Sequence, residues 1–348
     1  MDSVCVHSSK NYDVEIGSGL LDTCGEEISK VTKSKHCALI SDSNVDLIYG
    51  ERVLKSLKEA GFTVHKFVFP SGEKYKTTKT YIDILEFLAD MSFDRQDSII
   101  ALGGGVASDM AGYAAATYMR GISLINIPTT LLAMVDASIG GKTAINLGAH
   151  KNLVGAFWQP NLVLCDIEVL STLSAKIFAD GCAEVIKYAI LDDPEILDLM
   201  QDMHSNIEEI ITRCIKIKKK YTEEDERETG SRVMLNLGHS IGHAFEVLSE
   251  YKVTHGRAVS IGIAGIARSA YANGECSQEC VKKIVESLTK ANLPTEIDYE
   301  PNELVRVMMT DKKRDGDSIK LIIPREIGRC EIRETPYSEL ANYIASGY

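Results

Sequence analysis

No Cys-x-x-Cys pair occurs in this sequence, and its nine cysteines form an odd, scattered set: Cys5, Cys24, Cys37, Cys165, Cys182, Cys214, Cys276, Cys280 and Cys330. That pattern argues against a disulfide framework and for reduced thiols in a cytosolic protein. Cys276 and Cys280 can lie one helical turn apart, but two thiols do not make a metal site. No apolar run approaches the roughly 18 residues that span a bilayer. The first ten residues lack both an apolar h-region and an Arg-rich amphipathic pattern, so a cytoplasmic location is expected. Internal repeats, low-complexity tracts and disordered linkers are also missing. Positive charge is scarce: 38 Lys and Arg face 50 Asp and Glu, a net charge of -12. That balance speaks against nucleic acid or an anionic membrane as partner. A small anionic substrate remains open, provided that Lys and Arg cluster locally.

What is present is an ordinary globular composition, 45% hydrophobic and 25% charged over 348 residues, long enough for two domains. Up to about residue 172, short apolar runs alternate with helical patterns. Cys37–Ser41, Thr63–Phe69, Ser98–Leu102 and Ser123–Ile127 read as strands; Val45–Ala60, Thr78–Met91 and the small-residue segment ending at Met119 read as helices. This rhythm predicts a Rossmann-like α/β domain with a parallel sheet over 1–172. Over 173–348 the pattern turns mostly helical: Ala179–Leu191, Pro194–Thr222, Leu235–Leu248, Ala258–Asn273 and Ser277–Ala291, with Ile319–Ile323 as the one clear strand.

The apolar run Ser98–Leu102 enters Gly103-Gly104-Gly105 and then a helix. Such a turn lets backbone N–H groups approach a phosphate at a helix N-terminus, although the alternative is simply a tight turn. It is not the standard dinucleotide fingerprint, because Ser108 stands at the third glycine position and no acid follows about 20 residues on. Asp109 is read in the first helical turn. Asp42, ending an earlier strand, serves either as an N-cap or as a ribose ligand. His239 and His243 are four apart on a predicted helix, a spacing that suits a divalent metal, with His255 close behind. Glu184 and Lys187 share a helical face within an apolar run, where buried charges need partners. Lys142, in Gly140-Gly141-Lys142-Thr143, resembles the end of a phosphate loop without its full spacing. Arg120, read as closing the small-residue helix, joins Lys151, Lys218, Arg232, Lys312 and Lys313 as further cations. Each is a surface charge by default, and together they could hold an anion.

These residues carry a resemblance that covers nearly the whole chain. Pro70–Lys76, Gly103–Asp109, Ala114–Gly121, Ile127–Ala133, Val135–Thr143, Lys151–Gly155, Ala183–Tyr188, Arg232-x-x-x-Asn236-x-Gly-His239-x-x-Gly-His243 and His255-Gly256 follow in order. The sequence is similar in all of them to the 3-dehydroquinate synthase family of sugar phosphate cyclases.

That resemblance implies a metal, zinc or cobalt, held by Glu184, His239 and His255, and it moves His243 to the substrate. It implies NAD near Asp42, Asn44, Glu73, Lys76, Gly104, Gly105, Val106, Asp109, Thr129 and Thr130, with Lys142 and Lys151 adjoining. The implied substrate, 3-deoxy-D-arabino-heptulosonate 7-phosphate, would be held by Arg120, Asp136, Lys142, Lys151, Asn152, Lys187, Lys218, Arg232, Asn236, His243 and one of Lys312 and Lys313. A homodimer is implied as well, with Arg120 reaching the neighbouring subunit. One departure is Arg257, where the family usually has an acid after His-Gly, next to the metal's surroundings. Sister cyclases tend to replace the residues at 236 and 243, whereas this chain keeps Asn and His there. A metal-dependent polyol dehydrogenase, a second rival, would not need the phosphate-binding lysines, and a catalytically dead binding protein, a third, would not need all three metal-ligand positions.

Overall fold

The computed structural model describes residues 2–148, 150–296, 298–309 and 317–347. The chain divides into two compact units, Met1–Leu173 and Ser174–Tyr348.

The first unit runs β1 (Asp2–Val6), β2 (Tyr12–Gly17), α1 (Leu20–Val31), β3 (His36–Asp42), α2 (Ser43–Val45), a π-helical turn Asp46–Gly50, α3 (Glu51–Glu59), β4 (Thr63–Phe69), α4 (Thr78–Asp90), β5 (Ser98–Gly103), α5 (Gly105–Thr117), β6 (Ser123–Pro128), β7 (Lys142–Leu147), β8 (His150–Phe157) and β9 (Leu162–Asp166). Seven strands form one sheet in the order β1-β2-β9-β6-β5-β3-β4. Only the β1–β2 pair is antiparallel; the other five pairings are parallel. β5 is buried at every position, as a parallel strand covered on both faces must be. Ile40, Ile84, Leu88, Ile99, Met110 and Ala114 belong to one core cluster beneath it. After β4 the chain crosses back to the other side of β3 to place β5, so the strand order reverses between β3 and β5. In open α/β sheets ligands bind beyond the carboxyl ends of the strands at such a switch point, and here Asp42 ends β3 and Gly103 ends β5.

The expected strands all form: Thr63–Phe69 with the bounds read from the sequence, the other three a residue or two longer. Three readings need correction. Lys142 opens β7, which pairs antiparallel with β8, so Gly-Gly-Lys-Thr leads into a hairpin and not into the helix that a phosphate loop requires. Asp109 lies in the second turn of α5, because the helix begins at Gly105. Helix α5 also stops at Thr117, and Arg120 follows it in the left-handed region (φ 66) beside Met119 (φ 52).

The second unit runs α6 (Ala175–Leu191), α7 (Glu195–Leu199), α8 (Met203–Glu224), α9 (His239–Leu248), α10 (His255–Ala272), α11 (Gln278–Lys290), α12 (Pro301–Met308), β10 (Ser318–Glu326), β11 (Arg329–Pro336) and α13 (Tyr337–Ala345). Side-chain caps set several starts: Ser174 accepts from Ile177 N, and Ser277 from Cys280 N. The single helix expected over 194–222 is interrupted, since Asp202 caps a new start through Ser205 N. The helix expected from Leu235 begins only at His239: Ser231–Asn236 is a 3-10 segment and Gly238 is left-handed (φ 76). β10 has a partner, β11, that the sequence pattern did not reveal. No helix among the described residues is long and apolar enough to cross a membrane.

Candidate metal centre and cofactor cradle

Three helices of the second unit bring Glu184, His239 and His255 together. Their packing depends on glycines at the contacts, where a methyl group would meet backbone. On Gly256 it would stand 2.1 Å from Asp180 O, on Gly262 1.9 Å from Gly238 O, and on Gly242 2.9 Å from Ala258 O. Gly238 needs glycine twice over, for its left-handed φ of 76 and for the backbone N of Ile263, 2.7 Å from its virtual Cβ. Backbone thus touches backbone where α6, α9 and α10 meet. Glu184 on α6 then faces His239 and His255, the first residues of α9 and α10.

The resulting geometry is a donor set. Glu184 Oε1 lies 3.5 Å from His239 Nε2 and 3.4 Å from His255 Nε2, and the three donor atoms are mutually within 4.8 Å. Glu184 Oε2 faces the other way, 2.5 Å from Lys187 Nζ, with both side chains essentially inaccessible. His239 Nδ1 lies 3.1 Å from the Leu237 carbonyl. Donation of an N–H there leaves the Nε2 lone pair pointing at Glu184. Burial holds His239 well below the usual imidazole range, in the neutral, ligand-competent form. Burial opposes charging His255 too, but Glu184 and Glu246 outweigh it and raise this imidazole to about 10 when no cation competes. One carboxylate and two imidazoles, with the second nitrogen of each ring turned to an oxygen acceptor, fit a zinc-like ion that keeps an open position.

A second group, His243, Glu246 and His255, shares His255 with the first. Glu246 Oε2 is 3.7 Å from His255 Nδ1. The His255 ring therefore spans two carboxylates, Nε2 toward Glu184 and Nδ1 toward Glu246, so Glu246 orients the ring. The sequence reading gave Glu246 no role. Its only signal was a carboxylate within the apolar face of α9, where it is 2% exposed. No group among the described residues contains both His239 and His243, whose rings meet edge-on at 5.5 Å. The four-residue spacing makes neighbours of them without making them joint ligands.

Around this set Asn236 donates to Glu228 Oε1 at 2.7 Å, and the fully buried Arg232 donates through Nη1 to Glu226 O at 2.5 Å. Asp225 shapes that segment by accepting from the backbone N–H of Thr229, Gly230 and Arg232. Lys218 is buried on α8. Lys312 and Lys313 lie outside the described residues.

In the first unit the turn after β5 forms a cradle. Gly104 caps α5 without a side-chain bond. A methyl group on Gly104 would stand 3.2 Å from Thr130 Cγ2, and one on Gly105 3.4 Å from Ala137 Cβ, so any Cβ fills the space. Thr129 N–H donates to Gly103 O at 2.9 Å, and Thr130 Oγ1 accepts from Ala133 N at 3.2 Å. Asp42 Oδ2 lies 3.6 Å from the virtual Cβ of Gly103, while its Oδ1 accepts from Asn44 N and Val45 N, the capping role. Asn44 also donates to Ser71 Oγ at 2.8 Å. Open backbone N–H groups at a helix start, with a carboxylate at the neighbouring strand end, fit a pyrophosphate and a ribose.

Beside the cradle, Lys76 is 3% exposed and pairs with Asp109 and with Asn152 Oδ1. Asn146, another residue without a sequence-level role, ties this cluster together. Its Nδ2 donates to Glu73 Oε1 at 2.8 Å, and its Oδ1 accepts from Asn152 N at 2.9 Å. That bond holds Asn152 in the left-handed region (φ 51), which Asn tolerates better than most residues. The cluster joins Lys76 and Asp109, expected at the cofactor, to Asn152, expected at the substrate. Lys142 is exposed at the head of β7, Lys151 is half-buried on β8, and Asp136 sits on a π-helical turn, Ala133–Ala137. Val106 follows the cradle on α5. Two consecutive left-handed residues at Met119 and Arg120 cost on the order of 1–3 kcal/mol each.

Comparison with known proteins gives a consistent result. Residues 66–180 match the family model described as 3-dehydroquinate synthase N-terminal, and 181–314 match 3-dehydroquinate synthase C-terminal. The chain is 40% identical over 342 residues to a 3-dehydroquinate synthase of Clostridium acetobutylicum, covering 96% of each chain. It is 43% identical over 344 residues to that of Streptococcus thermophilus, again with 96% of each covered. Among solved structures, a 2-deoxy-scyllo-inosose synthase complexed with carbaglucose-6-phosphate, NAD+ and Co2+ superposes with a TM-score of 0.90 at 25% identity, covering 100% of both chains.

Proposed function

This chain belongs to the 3-dehydroquinate synthase family, and from that premise we propose that it converts 3-deoxy-D-arabino-heptulosonate 7-phosphate into 3-dehydroquinate and phosphate with NAD and a divalent metal. The observation that carries the proposal is the convergence of Glu184, His239 and His255 from three helices onto one point. When bound, NAD takes up and returns a hydride, and the metal draws electron density from the oxygen at the reacting carbon.

The chain's own residues hold and orient. Glu184, His239 and His255 are assigned to the metal, with Glu246 and the Leu237 carbonyl setting the two rings. Lys187 pairs with the second oxygen of Glu184 from the same helix. The Gly104–Val106 turn, with Asp42, Asn44, Glu73, Lys76, Asp109, Thr129 and Thr130, is assigned to NAD. Arg120, Asp136, Lys142, Lys151, Asn152, Lys187, Lys218, Arg232, Asn236 and His243 are assigned to the substrate, Lys142 and Lys151 also adjoining the cofactor. In a chain of net charge -12, these cations supply the local field that a phosphorylated sugar acid needs. Asn236 and His243 support the dehydroquinate-forming reaction over that of a sister cyclase. A homodimer in the cytoplasm, with Arg120 reaching the partner subunit, completes the reading; the nine free cysteines suit that location.

The test is phosphate release from the heptulosonate 7-phosphate, with NAD and zinc or cobalt each added or withheld. We expect phosphate and dehydroquinate in equal amounts, dependent on both cofactors, with no net NADH. Accumulating NADH without phosphate would turn the assignment toward a polyol dehydrogenase.

A further inference from the structure

We infer that Asp180 is a positioning residue for the metal centre: its carboxylate fixes the start of the helix that carries His255 by accepting the backbone N–H that the Thr254 side chain leaves uncapped. The inference rests on the metal reading above. Thr254 is the N-cap of α10, yet its side chain makes no capping bond to that helix. Its hydroxyl instead donates to Asp180 Oδ1 at 2.6 Å, and the same oxygen accepts the backbone N–H of Arg257 at 3.1 Å. The first N–H groups of a helix have no partner inside it, and an acid near them is favourable where a base is not. An acid three residues after Thr254 could close a reciprocal capping box, but Arg257 has no acceptor to offer. Asp180, from α6, takes over the other half of such a box, accepting the Arg257 N–H that the Thr254 hydroxyl would otherwise cap.

The geometry makes this bond part of the metal centre's frame. Asp180 and Glu184 stand one turn apart on α6 and share a face. Helix α6 therefore grips the start of α10 twice, with Asp180 at Thr254 and Arg257 and Glu184 at His255. Gly256 lies between, its α-carbon so close to the Asp180 carbonyl that no Cβ fits. Asp180 is 9% exposed, so water competes little for its oxygen. Without the Asp180 bonds, the start of α10 would lose its hydrogen-bonded tie to α6, leaving the His255 ring to its pairings with Glu184 and Glu246.

The experiment uses the full chain, with three readouts: zinc affinity by chelator competition, the ligand-field spectrum of the cobalt form, and thermal unfolding of the metal-free protein. Asp180→Ala should weaken zinc by about ten- to a hundredfold and alter the cobalt spectrum. Asp180→Asn, which keeps an acceptor oxygen, should recover most of the loss. Arg257→Glu should weaken zinc in the parent, where it faces Asp180. In an Asp180→Ser background it should strengthen zinc, because the capping box is then rebuilt locally. If Asp180→Ala lowers the unfolding temperature but leaves zinc affinity and spectrum unchanged, the residue merely stabilises the fold and the inference is overturned. If Asp180→Ala does not fold, Asp180→Asn, Thr254→Val and the Arg257 pair decide by the same readouts. Zinc affinity indifferent to Glu184→Gln would remove the metal reading itself, and with it the inference, whatever Asp180 does.

Discussion

In the first unit, the Gly103–Gly105 turn offers mainly backbone N–H groups, contributed by one stretch of chain passing from β5 into α5. In the second unit, the candidate metal donors are three side chains on three helices, set by contacts between segments far apart in sequence. A backbone cradle needs only that glycine be tolerated locally. A side-chain donor set needs every supporting helix in register. Glycine serves both, but differently. At Gly104 its missing Cβ leaves room for a ligand, whereas at Gly238, Gly242, Gly256 and Gly262 it lets helices touch. The two units should therefore respond to similar changes in opposite ways.

The largest effect should come from Glu184→Gln. It removes one donor and leaves Lys187 buried without its anion, so the unit should lose about 3–5 kcal/mol and metal-dependent turnover should fall by about a thousandfold or more. Denaturant unfolding and phosphate release check both. Next, Gly238→Ala should destabilise the helical unit by about 2–5 kcal/mol, through a strained φ and a clash with Ile263. Gly104→Ala makes the contrast. The atoms nearest its Cβ belong to the side chain of Thr130, so unfolding should move by less than about 1 kcal/mol, while NAD affinity in a direct titration falls by about tenfold. Equal losses of stability in the two alanine variants would erase the distinction between cradle and donor set.

The smallest effect concerns pH. Burial raises the Asp97 carboxyl, but bonds from Ser34 Oγ, Asp94 N and His36 outweigh it, and the net shift is downward. A depressed carboxyl stabilises the fold above its ordinary value, and that contribution is lost as pH falls through the lower folded value. Unfolding followed below about pH 4 should show this loss in the parent and a flatter profile in Asp97→Asn.

The fold was legible wherever its signal is local. The apolar run at Ser98–Leu102 and the three glycines after it place the β5–α5 turn, and Asp42 caps the next helix as a strand-ending Asp should. The β7–β8 hairpin was not read, since its strands are half-exposed and the glycines before it suggested a phosphate loop. At the metal centre, periodicity pointed to His239 and His243, because a helix was read through Gly238. The left-handed Gly238 in fact starts the helix at His239, and the nearest carboxylate to that ring comes from α6. Only the family resemblance named Glu184 and His255 with His239. Glu246, Asn146 and Asp180 escaped notice because each acts on a residue in another segment, a relation that spacing cannot express.

The most direct test of the central claim is anomalous diffraction from crystals of the zinc- or cobalt-loaded protein. The account predicts one strong peak within coordination distance of Glu184 Oε1, His239 Nε2 and His255 Nε2, with Glu246 beside the far nitrogen of His255. A peak coordinated by His243 and Glu246, or none near Glu184, would contradict it.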